Sequence, residues 1–235
     1  MPLGSSRPDD ASPWVKILDL AEDYSFKLFH VIRATLQYRR FDGRMSAPVT
    51  RINFERGDSV GVLLYDPQDD AVILVRQFRY PVYASLDPDE RAVDGARQAW
   101  LLEVVAGVKD VDRTVKEAAH KELLEEAGYK VKGELQPITI IYPSPNGTSE
   151  RIYLFLGEVD HRQRAGKGGG VEGEDIQVVV LPFHEAMDRV ARGEIRDAKT
   201  IIALQHLALL KAGKAGRRVV RGSQNGYGTT EKLSD

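Results

Sequence analysis

The chain has 235 residues and no cysteine, and its 42% hydrophobic and 29% charged residues are proportions typical of a globular protein. The length fits one domain of ordinary size with an extension, or two small domains. The absence of cysteine excludes disulfides and thiol chemistry. No stretch approaches the ~18 apolar residues of a membrane-spanning helix. The N-terminal residues lack an apolar signal segment, so we expect a cytoplasmic protein with no membrane partner.

Both ends of the chain are predicted to be disordered. Residues 1–12 are mostly small and polar, and residues 213–235 form a basic, Gly-rich tail. Residues 211–222 contain five Lys or Arg and no acid, a pattern that could attract nucleic acid. A short Gly-rich basic end is more often a solvated terminus, so we expect no nucleic-acid partner.

The remaining elements follow from the hydrophobic pattern, taken in chain order. Residues 14–38 alternate like a strand but are long enough for two strands with a bend between them. Residues 49–55 form another candidate strand, and 59–65 and 71–78 flank a turn as in a hairpin. A polar loop at 83–97 precedes an apolar run at 99–106. Further strands are predicted at 131–142, 151–159 and 176–181, and helices at 183–192 and 198–212.

An acidic helix is predicted between the apolar run and the later strands. Thr114 and Glu117 have the spacing of a capping box, and Gly128 fits the left-handed position after a helix end. These signals place the helix at about residues 115–127. One side of it carries apolar residues at helical spacing, so that side packs on a core: Val115, Ala118, Ala119 and Leu123. Strands with one acidic helix between them and two helices at the end indicate a mixed α/β domain.

The other side of this helix concentrates negative charge. Glu122, Glu125 and Glu126 lie at i, i+3 and i+4, where like charges cost roughly 0.2–0.5 kcal/mol per pair, and Lys121 offsets part of this. Mg²⁺ prefers oxygen ligands and would reverse the repulsion. A lone triplet of this kind is more often a solvated acidic face. The glycines on either side, Gly107 and Gly128, favour a site instead.

With that spacing, residues 107–129 resemble the signature of the Nudix hydrolase family. Counting from Gly107, the signature residues in register are Glu122, Leu123, Glu125, Glu126, Gly128 and Tyr129. The chain departs from the signature twice: Arg113 stands where a Glu belongs, and Lys121 stands where an Arg belongs. Lys121 keeps the charge but lacks the planar fork of an Arg.

The resemblance implies an architecture. The fold class would be α/β, a Nudix α/β/α sandwich around a mixed β-sheet, over residues 45–212. Residues 13–44 resemble the N-terminal β extension of the nucleotide-sugar hydrolases in this family, where the extension contributes to a homodimer. We therefore expect a homodimer here.

A second acidic group follows three consecutive glycines in the stretch 166–179. On its own this would be an ordinary polar loop. In the ADP-ribose and GDP-mannose pyrophosphatases of the family, a similar loop supplies the catalytic base and a metal ligand. The resemblance assigns the base to Glu172 and the ligand to Glu174.

Three further stretches extend the resemblance to substrate-binding residues. Residues 75–80 resemble a strand end that places an Arg on the substrate. This points to Arg79 and, less directly, to Arg76; an exposed Arg at a strand edge is the alternative.

Residues 142–155 place Gly147 and Glu150 at the spacing of a substrate-binding segment, although this stretch is a turn in any case. Residues 181–204 resemble the C-terminal region of the GDP-mannose pyrophosphatases. There Arg196 would contact a phosphate or simply pair with Asp197 or Glu194.

The resemblance implies metal-dependent hydrolysis of a nucleoside diphosphate-linked sugar, GDP-mannose-like or ADP-ribose-like. Mg²⁺, or alternatively Mn²⁺, would be held by the Ala106 carbonyl with Glu122, Glu126 and Glu174. Glu172 and Glu125 would act in catalysis. Two alternatives remain: a non-catalytic nucleotide-binding module, favoured by Arg113 and Lys121, and a Nudix enzyme that acts on a nucleoside triphosphate.

Overall fold

The computed structural model describes residues 13–171 and 173–213. The two ends that were predicted to be disordered, 1–12 and 213–235, lie outside the described residues except for residue 213. The predicted base Glu172 also lies outside them. Within the described ranges, none of the helices combines the length and the apolar character needed to cross a membrane.

The N-terminal part of the chain forms a three-stranded antiparallel sheet. Its strands are β1 (Val15–Phe26), β2 (Phe29–Tyr38) and β3 (Val49–Glu55), in that order. The stretch 14–38 is therefore two strands, and it turns at Lys27, whose φ of 55° is left-handed. Because β3 pairs with β2, the sheet continues past residue 44, where the extension was predicted to end.

The second sheet carries the functional part of the molecule. Its strands are β4 (Ser59–Asp66), β5 (Ala71–Phe78), β6 (Trp100–Glu103), β7 (Val105–Val108), β8 (Gln136–Ile141), β9 (Ile152–Glu158) and β10 (Gln177–Pro182). The main path runs β10-β5-β4-β9-β8, with β4 and β9 parallel and the other neighbours antiparallel. The predicted hairpin of β4 and β5 pairs only near its turn. Beyond it, β6 pairs with β5 and β7 pairs with β4.

Helices cover both faces of this sheet. They are α1 (Tyr80–Ser85), α2 (Pro88–Ala92), α3 (Val115–Glu122), α4 (Phe183–Ala191) and α5 (Ala198–Lys211), and α3 continues into a wider π-helical turn, Leu123–Ala127. Apolar residues of α3 and its turn pack on one face, and those of α4 and α5 pack on the other. The predicted α/β sandwich around a mixed sheet is confirmed.

Two segments differ from the sequence prediction. The polar stretch 83–97 was predicted as a loop, but it contains α2, because Asp87 and Glu90 form a capping box and Pro88 suits the first turn of a helix. The strand predicted at 131–142 begins only at Gln136. Gly133 has a φ of 75°, a turn conformation that is incompatible with an extended strand.

Candidate active site

A cleft of about 710 Å³ opens beside the two short strands β6 and β7. Its walls come from β4 to β7, from α3 and its π-helical turn, from the segment after the glycine-rich loop, and from the start of α5. The lining holds a cluster of carboxylates around Lys121 and three further cations, and the carboxylate partners of these three, Glu103, Glu150 and Asp197, also line the cleft. The acidic group is Glu122, Glu125, Glu126 and Glu174, and the basic group is Arg56, Arg79 and Lys199.

Local sequence signals position the acidic helix as predicted. The Thr114 hydroxyl accepts a hydrogen bond from the Glu117 amide, and the Glu117 carboxylate accepts one from the Thr114 amide. At the other end Gly128 adopts a φ of 72°. The helix therefore starts and stops where these signals place it, and its acidic side faces the cleft.

Glu126 is the most buried carboxylate of the acidic group, with 4% of the residue exposed. Its Oε2 accepts a hydrogen bond of 3.1 Å from the Ala106 amide, so β7 holds the side chain against the sheet. Burial raises the pKa of Glu126 to about 8, and the neighbouring charges of Glu122 and Glu174 add to the effect. Burial also raises the pKa of Glu122, where Lys121 opposes the effect and Glu125 reinforces it.

Lys121 lies among these carboxylates. Its Nζ is 3.6 Å from Glu122 Oε1, from Glu125 Oε2 and from Asp110 Oδ2. Burial alone would lower the pKa of Lys121, but the three carboxylates outweigh it and raise the pKa. Arg113, the other departure from the family signature, donates to Asp110 at 2.9 Å. Lys121 thus neutralises part of the charge of the acidic group, whereas Arg113 pairs with the neighbouring Asp110.

The acidic group has the oxygen donors that a divalent cation prefers. The raised pKa values of Glu122 and Glu126 mean that burial and mutual repulsion make their ionised forms costly, and Lys121 alone does not cancel this. A divalent cation bound to oxygen ligands would favour the ionised forms. All four residues predicted as metal ligands, Ala106, Glu122, Glu126 and Glu174, line the same cleft.

Gly107, the first glycine of the signature, has a steric role. A Cβ at this position would overlap the carboxyl group of Glu122, with Oε2 only 2.5 Å away. Any larger residue would therefore displace a predicted metal ligand, which explains why the signature begins with glycine.

The glycine-rich loop is hydrogen-bonded to the end of the acidic helix. The amide of Gly169 donates to the Glu126 carbonyl at 2.8 Å, and the amide of Gly170 donates to the Glu125 carbonyl at 3.0 Å. Just beyond, Glu174 Oε2 accepts from the Val171 amide at 3.0 Å. The structure thus brings Glu174 to the acidic group across a long stretch of sequence.

The basic group is organised by a carboxylate that the sequence analysis did not identify. Glu103, 1% exposed, accepts from Arg79 Nε at 2.7 Å and from Arg79 Nη2 at 2.8 Å. It also accepts from Lys199 Nζ at 2.5 Å. Burial alone would raise the pKa of Glu103, but these two cations outweigh it and lower the pKa. A lone acid within the apolar run 99–106 was the available sequence signal, and Lys199 lies three residues after the predicted Arg196.

Glu150, a predicted substrate-binding residue, also lines the cleft. It is buried and accepts from the Ser59 hydroxyl at 2.6 Å. Arg56 Nη1 is 3.7 Å from Glu150 Oε2, and the Arg56 guanidinium lies over the ring of Phe29 at 6.0 Å. Arg56 lies between the predicted strands 49–55 and 59–65, and the sequence there carries no signal that distinguishes it from other surface arginines.

Two predicted substrate residues are not brought to the cleft. Arg76 is one residue before the cleft-lining Gln77 on β5, so it projects from the opposite face of the sheet. Arg196 is exposed, and its Nη2 donates to Gln98 Oε1 at 3.5 Å. Neither appears among the cleft-lining residues, so both remain predictions without geometric support.

Comparison with known proteins agrees with this geometry. The family model described as the NUDIX domain matches residues 55–204. A GDP-mannose pyrophosphatase of Cronobacter sakazakii is 38% identical over 190 residues, which cover 81% of this chain and 91% of that protein. One of Escherichia coli O1:K1 is 36% identical over 195 residues, covering 83% and 94% respectively. A crystal structure of an ADP compounds hydrolase matches with a TM-score of 0.62 at 20% identity, over 88% of this chain and all of that one, a likeness of fold alone.

Proposed function

The chain belongs to the Nudix hydrolase family, and from this premise we propose that it hydrolyses the diphosphate bond of a nucleotide sugar. The products would be a nucleoside monophosphate and a sugar phosphate. GDP-mannose is the first substrate to test, because relatives that align over more than nine-tenths of their length carry the name GDP-mannose pyrophosphatase. ADP-ribose is the second.

The observation that carries this proposal is one cleft lined both by a cluster of carboxylates, the acidic group, and by the hydrogen-bond donors of Arg56, Arg79 and Lys199. A volume of about 710 Å³ lies within the roughly 300–1,000 Å³ of small-molecule sites. A diphosphate needs hydrogen-bond donors around its oxygens, and Arg79 and Lys199 supply charged donors that Glu103 and Asp197 hold in place. The acidic group supplies the ligands of a divalent cation.

We assign the cation to the Ala106 carbonyl, Glu122, Glu126 and Glu174, with Mg²⁺ as the expected ion and Mn²⁺ as an alternative. Bound there, the cation would neutralise phosphate charge and lower the pKa of a water molecule. The amide of Ala106 keeps the buried carboxylate of Glu126 in place. Lys121 balances Glu125, which lies at the edge of the acidic group.

We assign the general base to Glu172, on the resemblance of its loop to that of related hydrolases. A carboxylate in this role would take the proton of the attacking water. Glu125 would assist from the helix. On the substrate side, Arg79 and Glu150 line the cleft and are the predicted residues that its geometry supports, with Arg56 and Lys199 added.

A panel of nucleotide sugars, incubated with Mg²⁺ and separately with EDTA, tests the proposal. We expect metal-dependent release of a sugar phosphate from one substrate class, measured by phosphatase coupling. Glu126→Gln should abolish this release, while Glu158→Gln, at an exposed glutamate that does not line the cleft, should leave it unchanged. Full turnover in EDTA, or in Glu126→Gln, would refute the metal assignment.

A non-catalytic nucleotide-binding module is the second candidate function. Lys121 favours it, because its amine already neutralises carboxylates that a cation would otherwise occupy. Saturable binding of a nucleotide sugar by calorimetry, without turnover of any substrate in the panel, would support this candidate over hydrolysis.

We further propose that the protein is a homodimer through the N-terminal sheet. Large apolar side chains on β1 remain exposed in a single chain, among them Leu20 at 64% and Tyr24 at 58%. Contiguous apolar surface of this kind marks an interaction site. A second copy of the chain would cover it.

A further inference from the structure

We propose that Arg164 is a positioning residue that fixes the glycine-rich loop to the end of the acidic helix and thereby sets the place of Glu174 in the metal site. This inference rests on the proposed metal-dependent function of the cleft. It concerns a residue that does not line the cleft.

The evidence begins with the contacts of the Arg164 side chain. Its Nη2 donates to the carbonyl of Ala127, the last residue of the π-helical turn, at 3.0 Å. The same atom donates to the carbonyl of Lys167 within the loop. Its guanidinium also lies 5.7 Å from the ring centroid of Tyr129. One side chain therefore joins the helix end to the loop, where a positive charge also complements the helix dipole.

The backbone of the loop makes further hydrogen bonds to the same helix end. The amides of Ala165 and Gly166 both donate to the Gly128 carbonyl, at 2.7 and 3.1 Å. The amides of Gly169 and Gly170 then donate to the carbonyls of Glu126 and Glu125. The loop thus satisfies the free carbonyls at the C-terminus of a helix whose side chains form the acidic group.

Gly168 shows how close this packing is. Its φ is 64°, and a Cβ there would lie 2.7 Å from the Glu126 carbonyl oxygen and 2.8 Å from Arg164 Nη2. Only glycine lets Arg164 reach the helix end between the two chain segments. Arg164 and Gly168 therefore act together, and each offers an independent way to disturb the same contact.

The attachment of the loop also restrains Glu174, which follows the loop in the chain. Glu174 is four residues beyond Gly170, and the Gly170 amide is fixed to the backbone of Glu125. Loss of Arg164 would free the loop from the helix end, so Glu174 would no longer be held at the acidic group. Removing a residue that orients a metal ligand typically weakens metal binding about 10- to 100-fold.

The test compares Arg164→Gln, Arg164→Lys and Gly168→Ala with the control Arg162→Gln. Arg162 is two residues away and pairs with Asp69 instead. Hydrogen exchange of the full-length protein measures the loop amides directly. We expect faster exchange at Ala165, Gly166, Gly169 and Gly170 in the three test variants and not in the control, since a loosened loop weakens the hydrogen bonds of these amides to the helix end.

The second readout is the Mg²⁺ concentration that gives half-maximal hydrolysis. We expect it to rise about 10-fold or more in Arg164→Gln, with a smaller change in the KM for the nucleotide sugar. Arg164→Lys should recover little, because its ammonium ends one bond short of the Nη2 position that contacts both carbonyls. Unchanged loop exchange, or unchanged Mg²⁺ dependence in an active enzyme, would overturn the inference. A wild-type protein without hydrolysis would instead contradict the proposed function, and the exchange experiment would still decide whether Arg164 holds the loop.

Discussion

Glu103 accepts two parallel hydrogen bonds from Arg79, of 2.7 and 2.8 Å, at the point where β6 ends beside the cleft. The same carboxylate holds Lys199, so one buried anion fixes two of the three cations of the basic group. A guanidinium bound in this way loses little freedom when it then contacts a phosphate. The order of the basic group is thus present before any substrate arrives.

Glu103→Gln is therefore expected to destabilise the protein and weaken substrate binding together. Removal of one partner from a buried ion pair costs about 3–5 kcal/mol, because the remaining charge is left uncompensated. Urea denaturation measures the change in the free energy of unfolding, and steady-state kinetics measures the rise in KM. A further Arg79→Met substitution should recover part of the lost stability, because Arg79 loses its carboxylate partner whereas Lys199 keeps Asp197 at 2.9 Å. Equal stability of Glu103→Gln and wild type would show that the pair contributes nothing.

The buried carboxyl of Glu126 predicts how stability depends on pH in the metal-free protein. Its pKa is about 8 in the folded chain, against 4.5 for an unperturbed Glu. The folded state thus holds a proton that the unfolded state has released, and stability should fall by roughly 1.4 kcal/mol per pH unit between these two values. In EDTA, Glu126→Gln should lack this contribution. Urea titrations from pH 5 to pH 8 measure it, and parallel curves for the two proteins would contradict the prediction.

Asp66, at the end of β4, gives a pH effect of the opposite sign. Burial would raise the pKa of its carboxyl, but hydrogen bonds from His161 and Gln68 outweigh it and lower the pKa from 3.8 to about 2. Its stabilisation is present above pH 3.8 and is lost as the pH falls towards 2. Asp66→Asn should cost about 2 kcal/mol at pH 7 and little at pH 2. Denaturation at several pH values checks this, and a constant difference between the proteins would refute it.

The local features of the site could be predicted from sequence because their causes are local. Thr114, Glu117 and Gly128 delimit the acidic helix through contacts with their own turns, so spacing alone placed Glu122 and Glu126 on one side. Glu103 and Lys199 are 96 residues apart, and only the pairing of strands and the packing of α5 bring them together. For the same reason the sequence could not show that Arg76 projects from the opposite face.

Gly107→Ala tests the steric requirement at the start of the signature. The added methyl group would overlap the Glu122 carboxyl, so the metal ligand must move. We expect hydrolysis to fall by 100-fold or more, since a displacement of ~1 Å at a reacting site can cost that much. Ala191→Ser, which also adds one heavy atom but at an exposed residue of α4 outside the cleft, is the matched control. Near-normal hydrolysis by Gly107→Ala, with a normal melting temperature, would show that Glu122 can be displaced without consequence.

Leu20→Lys tests the proposed dimer. Leu20 is 64% exposed on β1, so a lysine should be tolerated in a single folded chain but should oppose the burial of this surface against a second copy. Light scattering after size-exclusion chromatography should give the mass of two chains for the wild type and of one chain for the variant. Leu209→Lys, at a leucine of α5 that is 47% exposed, is the control and should keep the wild-type mass. A wild-type protein with the mass of one chain at micromolar concentration would exclude the dimer. A dimer that survives Leu20→Lys would place the interface elsewhere.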